Sequence, residues 1–198
     1  MSELAEVEAA VATARRHGAG ALGLLHCVSA YPVPVGSENL GAIKTLAERF
    51  DVPVGLSDHG VDPAAVPLAV ALGASLYERH IMLEGDADAI DAAVSSTSAD
   101  LSRAVSAAEH AQALIGHGRR ECLPAEAPNR GPSRRGLYAA RTLRAGARVH
   151  PDDVVCLRPV AAIGADEWER VVGCRLTRDV PAGAALVPGH LDLGGERI

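Results

Sequence analysis

The sequence predicts an α/β fold: a partial (β/α)8 (TIM) barrel followed by a small β-rich domain. Three observations predict it. Short apolar runs at 21–27, 54–56 and 74–77 alternate with segments of helical periodicity, the mark of parallel strands joined by helices. A stretch rich in Pro, Arg and Gly at 121–135 then interrupts the pattern and reads as a linker. Beyond it, residues 141–154 parallel residues 178–191, each with an Arg, an Ala-Gly-Ala turn and a Pro. The expected division is 1–120 for the barrel portion, 121–135 for the linker and 136–198 for the tail.

Each element has a local reason. Residues 3–17 form an amphipathic helix with Leu4, Val7, Ala10, Val11 and Ala14 as its stripe, stopped by Gly18. Residues 21–27 are continuously apolar, as a strand buried on both faces requires. Residues 39–50 form a helix with Leu40, Ile43, Leu46, Ala47 and Phe50 inward and Asn39 as N-cap. Two strands, 54–56 and 74–77, flank an Ala-, Val- and Leu-rich helix. The segment 81–97 is too polar and irregular for core. Ser98 is placed to cap a helix that runs through Ile115 and stops at Gly116. Three strands do not close a barrel that needs eight, so both sheet edges stay open unless something pairs with them. In the tail, the repeat predicts two hairpin-like units around a short helix at 166–172.

Composition narrows the function. The 198 residues are 48% hydrophobic and only 3% aromatic, so the core is built from Ala, Val and Leu. A formal charge of −6 argues against a general nucleic-acid binder. No apolar run has membrane-spanning length, and the expected location is cytoplasmic. Cys27, Cys122, Cys156 and Cys174 have no CxxC spacing and read as buried or free thiols rather than disulfides or zinc ligands. Lys44 is the only lysine, and on a helix it reads as a solvated surface charge.

The stretch from Val54 to His80 carries the chemistry. One strand ends in Ser57-Asp58-His59 and the next in Glu78-Arg79-His80. Parallel strands place both ends on one edge, where ligands bind in such sheets. A single His there is usually a polar residue meeting solvent. Two at equivalent positions, with Asp58 and Glu78 beside them, make a plausible divalent-metal site with positions left open for substrate.

The segments LLHCVSAYPVP, PVGLSDH, ALGASLYERH and SRRGLYAARTLRAG to LRP resemble the sialic acid (N-acylneuraminate) synthase family. The resemblance covers nearly the whole chain: the second half of that family's TIM barrel, then its antifreeze-like (SAF) domain. It implies a transferase that condenses C3 of phosphoenolpyruvate with the aldehyde of an N-acylmannosamine-type sugar, while water attacks C2 and phosphate leaves. It implies His59 and His80 as ligands of Mn2+ or Mg2+, with Glu78 a carboxylate near the metal. Tyr31 and Ser57 match residues lining the substrate pocket, and Ser29 falls where members carry Asn or Ser. Asp91 matches a sugar-contacting Asp, although Ala89-Ile90 replaces the usual Gly-Pro before it. Arg158 matches an Arg that the SAF domain lends to the partner subunit of a homodimer, although Val160-Ala161-Ala162 replaces the usual glycines.

The family's phosphate-binding lysines lie on early strands with no counterpart in this sequence. Met1 resembles a segment just after the family's fifth strand, which leaves an internal methionine or a split or degraded gene as alternatives. Three functions remain open on sequence alone. The chain is part of a synthase, a non-catalytic remnant that dimerises, or an SAF-type module binding carbohydrate or polyanion.

Overall fold

The computed structural model describes residues 1–86 and 88–192. Ala87, in the segment after His80, and residues 193–198, at the end of the expected tail domain, lie outside the described residues. The chain forms two compact units, Met1–Gly118 and Arg119–Ile198.

In the first unit, α1 (Leu4–Arg16) opens where the backbone N–H of Glu3 donates to the Glu6 carboxylate at 2.7 Å. Only Val11 of its apolar stripe is fully buried. β1 (Leu24–Cys27) is shorter than the apolar run before it, because pairing starts where Leu24 N–H donates to the Pro53 carbonyl. α2 (Gly41–Arg49) buries Ile43 completely. Asn39 does not cap it: its φ of +45° places it in the turn ahead, and Leu40 occupies the cap position. β2 (Val54–Asp58) is buried along its whole length. α3 (Ala65–Ala71) follows, then β3 (Leu76–Arg79) and the long α4 (Ser98–Ile115). Thr97 caps α4, one residue before the expected Ser98: its hydroxyl accepts from Asp100 N–H at 3.2 Å. Lys44 faces solvent and meets Glu48 at 3.7 Å.

The strands form one parallel sheet in the order β1-β2-β3. β2 sits in the middle, and a side chain at Gly55 would collide with β3. A Cβ there would meet the Leu76 carbonyl oxygen at 2.2 Å and the Leu76 Cβ at 2.5 Å. Only glycine lets the two strands approach to pairing distance. The segment after His80 is more ordered than its polarity suggests. Ile81 bridges Ser96 in parallel, a single 3-10 turn spans Ala92–Val94, and both Val94 and Ser96 are buried.

In the second unit, the expected linker contains a seven-residue helix, α5 (Ala127–Ser133), exposed throughout. β4 (Gly136–Ala139) pairs antiparallel with β5 (Val154–Leu157). α6 (Trp168–Val171) occupies the expected short helix, preceded by a 3-10 turn at Ala165–Glu167. β6 (Arg175–Leu176) pairs antiparallel with β7 (Leu191–Asp192).

The repeat is structural, but its halves are not self-contained hairpins. They pair with each other through the Leu143–Val180 bridge. Each then turns at a glycine of positive φ, Gly146 (+80°) or Gly183 (+77°), a conformation that disfavours side chains. Each proceeds through a 3-10 turn, Pro151–Asp153 or Pro188–His190, into β5 or β7. The third residue of each turn reaches back to the backbone N–H before it. Asp153 accepts from His150 N–H at 3.0 Å, and His190 Nδ1 lies 3.4 Å from Val187 N.

Candidate functional site

Strand pleating sorts the strand-end residues onto two faces. Ser57 pairs in register with Glu78, and Asp58 with Arg79. One face therefore carries Ser57 and Glu78, joined by a hydrogen bond from Ser57 Oγ to Glu78 Oε1 at 2.8 Å. His59 and His80 follow two residues later. The opposite face carries Asp58, Tyr77 and Arg79. Arg79 Nη1 donates to Asp58 Oδ2 at 2.7 Å, Tyr77 donates to the same oxygen at 3.2 Å, and Gly60 N–H donates to Asp58 Oδ1 at 2.8 Å. Burial first, and the Asp58 charge second, push the Tyr77 phenol up to about 12. Asp58 is thus committed to Arg79 and does not join the histidines, contrary to the reading from its neighbouring position in sequence.

His59 and His80 come together at the ends of adjacent strands. Their ring centroids are 5.2 Å apart, and Tyr31 covers both. Tyr31 stacks on His59 with centroids at 4.3 Å and meets His80 edge-on at 5.9 Å. Tyr31 arrives on the loop after β1, whose course is fixed where Val33 N–H donates to the His59 carbonyl at 3.1 Å. His59 is buried while Tyr31 is 55% exposed, so the trio opens to solvent on the tyrosine side.

The second nitrogen of each imidazole is also placed. His59 Nδ1 lies 3.1 Å from the Val28 carbonyl and 3.7 Å from Cys27 Sγ. A carbonyl only accepts, so this contact places a proton on Nδ1, and in the neutral ring Nε2 is then the nitrogen with the lone pair. His80 Nδ1 lies 3.6 Å from the Asp91 carboxylate. No group of three or more His, Cys, Asp or Glu side chains among the described residues is arranged to hold a metal ion. The two imidazoles, with centroids 5.2 Å apart, thus stand as a pair of nitrogen donors without a third ligating side chain among the described residues. Such a donor set suits a site that takes its other ligands from water and substrate.

Of the eight residues singled out in the sequence, Tyr31, His59, His80 and Asp91 meet directly. Ser57 and Glu78 pair on the same face of the sheet. Ser29 stands exposed on the loop after β1 and lines a hollow of about 940 Å³ with the start of α1 and with α2. Arg158 follows β5 in the second unit and is exposed. Sequence reasoning missed Cys27 and the Val28 carbonyl as partners of His59. The signal for Cys27 was its place in β1 beside Ser57 in β2. No helix among the described residues is long and apolar enough to cross a membrane.

Comparison with known proteins adds to this geometry. The NeuB family matches residues 1–120 and the SAF domain matches residues 134–192. The chain is 32% identical over 196 residues to the N,N'-diacetyllegionaminic acid synthase of Legionella pneumophila, covering 97% of this chain and 55% of that protein. It is 32% identical over 168 residues to a pseudaminic acid synthase of Campylobacter jejuni, covering 85% and 49% respectively. Among solved structures, it is similar to a protein assigned as spore coat polysaccharide biosynthesis protein E from Chromobacterium violaceum. The TM-score there is 0.77 at 28% identity, covering 96% of this chain and 58% of that one. The chain spans about half the length of the curated relatives it matches.

Proposed function

We propose, since the chain belongs to the NeuB family and carries an SAF domain, that it supplies half of the active site of a nonulosonic acid synthase. The reaction we assign condenses phosphoenolpyruvate with an N-acylmannosamine-type sugar. C3 of the enolpyruvate bonds to the aldehyde carbon, water adds at C2, and phosphate leaves. The observation that carries this reading is the imidazole pair, with centroids 5.2 Å apart under Tyr31, at the ends of adjacent parallel strands.

His59 and His80 would hold a divalent cation, Mn2+ or Mg2+, which when bound supplies Lewis-acid polarisation of the aldehyde oxygen. The Val28 carbonyl keeps His59 in the tautomer whose Nε2 can donate a lone pair. Glu78, bonded to Ser57 on the same face, is the carboxylate we assign to accept a proton from the attacking water. The face of Tyr31 packs on His59, and its exposure leaves it available to substrate. Asp91 is assigned to the sugar, which its half-exposed carboxylate can reach while also approaching His80, and Ser29 is assigned to substrate binding. Arg158, from the SAF unit of a second copy, is assigned to the anionic substrate, whose recognition needs cationic or N–H donors.

The test is phosphate release with phosphoenolpyruvate, Mn2+ and N-acetylmannosamine. This chain alone should give none, because its only lysine, Lys44, lies on the exposed face of α2 and leaves the phosphate without a lysine at the site. Joining it to the preceding half of a relative should restore turnover, and His59→Ala or His80→Ala should then abolish it. Turnover by this chain alone, or a joined enzyme indifferent to both histidines, would overturn the proposal.

A further inference from the structure

We infer that Asp91 is a positioning residue for His80. Its carboxylate faces Nδ1 as a hydrogen-bond acceptor and so favours the Nδ1–H tautomer, in which Nε2 carries the lone pair. The inference rests on the imidazole pair being a cation site, as proposed above, and names what aims the second ring.

The argument starts from an asymmetry between the two histidines. His59 is buried, and its Nδ1 faces the Val28 carbonyl at 3.1 Å. Among the described residues, no backbone acceptor of that kind meets His80 at Nδ1. The group that approaches it is the Asp91 carboxylate, with Oδ2 at 3.6 Å. The other nearby carboxylates are engaged elsewhere: Glu78 accepts from Ser57, and Asp58 accepts from Arg79 and Tyr77. A neutral imidazole without a partner at Nδ1 exchanges between tautomers, and only one of them presents Nε2 to a cation.

Asp91 is itself held in place. It precedes the 3-10 turn Ala92–Val94, whose Val94 is buried. Its carbonyl accepts from Ser95 Oγ at 2.8 Å and from Val94 N–H at 3.1 Å. The same segment is tied to β3 at the histidine: Ser96 N–H donates to the His80 carbonyl at 2.8 Å, and Met82 N–H donates to the Ser96 carbonyl at 3.0 Å. So the backbone of His80 and the backbone carrying Asp91 belong to one hydrogen-bonded loop. A shift of roughly half an ångström would bring the pair to hydrogen-bond length. The Asp91 side chain is half exposed, so as an ion pair it adds little stability. Its effect falls on ring orientation and tautomer instead, as with carboxylates that back metal-bound histidines.

The test uses the full chain with Asp91→Ala and Asp91→Asn, and two readouts. The first is the nitrogen-15 NMR signature of the His80 imidazole without metal, at about pH 8, above the usual imidazole pKa. Asp91→Ala should shift His80 from the Nδ1–H form toward a tautomer mixture and leave His59 unchanged. Asp91→Asn, whose amide oxygen still accepts, should keep most of the Nδ1–H form. The second is the dissociation constant for Mn2+ by titration calorimetry, which should rise 10- to 100-fold in Asp91→Ala and less in Asp91→Asn. An unchanged His80 tautomer in Asp91→Ala would overturn the inference. A wild-type chain that takes no Mn2+ would instead overturn the cation-site reading, with the tautomer measurement still deciding what Asp91 does.

Discussion

The two units solve the same problem with unequal success. The second encloses one continuous core running from Leu137 through Val149, Ile163, Val171, Val180 and Leu186 to Leu191. The first has more residues, yet among the described residues its contiguous buried cluster is smaller, Ile43, Val54, Leu56, Ala65 and Ala69, with Val11, Val33, Phe50, Val66 and Val94 buried outside it. Its 18-residue helix α4 has no buried residue at all, and Leu25 and Leu76 on the outer strands are exposed. Beyond the bridge at Ile81, the outer edges of β1 and β3 meet no strand among the described residues. Unpaired edges and exposed apolar faces are what a sheet presents when its neighbours are elsewhere. The difference lies in coverage: the second unit encloses its apolar core, while the site-bearing unit leaves strand edges and apolar side chains uncovered.

Hydrogen exchange on the intact chain offers the sharpest break of this comparison. Amides in the second unit, such as Leu137 donating to Ile163 and Leu143 donating to Val180, should exchange only on cooperative opening. Amides of β1 and β3 should exchange roughly 100-fold faster or more, since poorly packed segments open locally. Equal protection in the two units would mean that the open edges cost nothing.

Two glycine-to-alanine changes separate the units next. Gly55→Ala places a Cβ against the Leu76 backbone oxygen at 2.2 Å, which cannot move without parting β2 from β3. We expect a loss of about 3 kcal/mol or more, the upper range for overpacking, and loss of the His59–His80 juxtaposition. Gly164→Ala meets only the tip of Asp166, whose Oδ1 lies 2.2 Å from the new carbon and can swing away. That change should cost less than about 1 kcal/mol. Chemical denaturation followed separately in each unit measures both.

The strand-end histidines were legible because pleating and parallel order follow from local sequence. The same pleating put Asp58 on the opposite face from His59, a consequence that adjacency in sequence conceals. Asn39 and Ser98 each looked like a helix cap, but the choice between neighbouring candidates rests on one backbone angle that composition does not encode. Val94 and Ser96 sit in a polar stretch, and their burial arises from the bridge to Ile81, which is a tertiary fact. The repeat was legible as spacing. That its halves pair with each other through Leu143 and Val180 was not, because pairing partners are set by the fold. The Tyr31 stack on His59 likewise joins residues from different strand ends.

Acid should weaken the second unit in two stages. Burial, and then the Arg178 charge, hold the His190 imidazole below its usual range. Its contribution to stability is therefore full above the unfolded value of about 6.5 and falls as pH drops below it. The His150 backbone N–H first, and then Arg141, hold the Asp153 carboxyl below its usual range against the opposing effect of burial. Its contribution is full above about 3.9 and is lost as pH falls further. Asp153→Ala should remove the second stage. At neutral pH it should cost about 2–3 kcal/mol, as expected when a buried carboxylate loses charge-assisted hydrogen bonds. Melting of the second unit against pH checks both stages, and a melting temperature flat from neutral to pH about 4 would count against the His190 stage.

The smallest expected effect probes how α4 is held. Thr97 and Asp100 cap it reciprocally: Asp100 N–H donates to Thr97 Oγ1 at 3.2 Å, and Thr97 N–H donates to Asp100 Oδ2 at 3.1 Å. The hydrogen bonds from Thr97 hold the Asp100 carboxyl below its usual range, and Arg103 adds to the effect. Since α4 buries none of its residues, this box and its packing on α3 are what fix its start. Thr97→Ala should therefore cost about 1 kcal/mol, typical of a lost cap, and fray the first turn. Ser98 stands ready as an alternative cap one residue later, which would shorten the helix and limit the loss. Circular dichroism and amide exchange over 97–102 would read this directly. If α4 is instead covered when the chain is joined to the preceding half of a relative, the Thr97→Ala effect on exchange should shrink there, because packing rather than the cap would then hold the turn. An effect that stays the same size in the joined protein would mean that the added half leaves this end of α4 exposed.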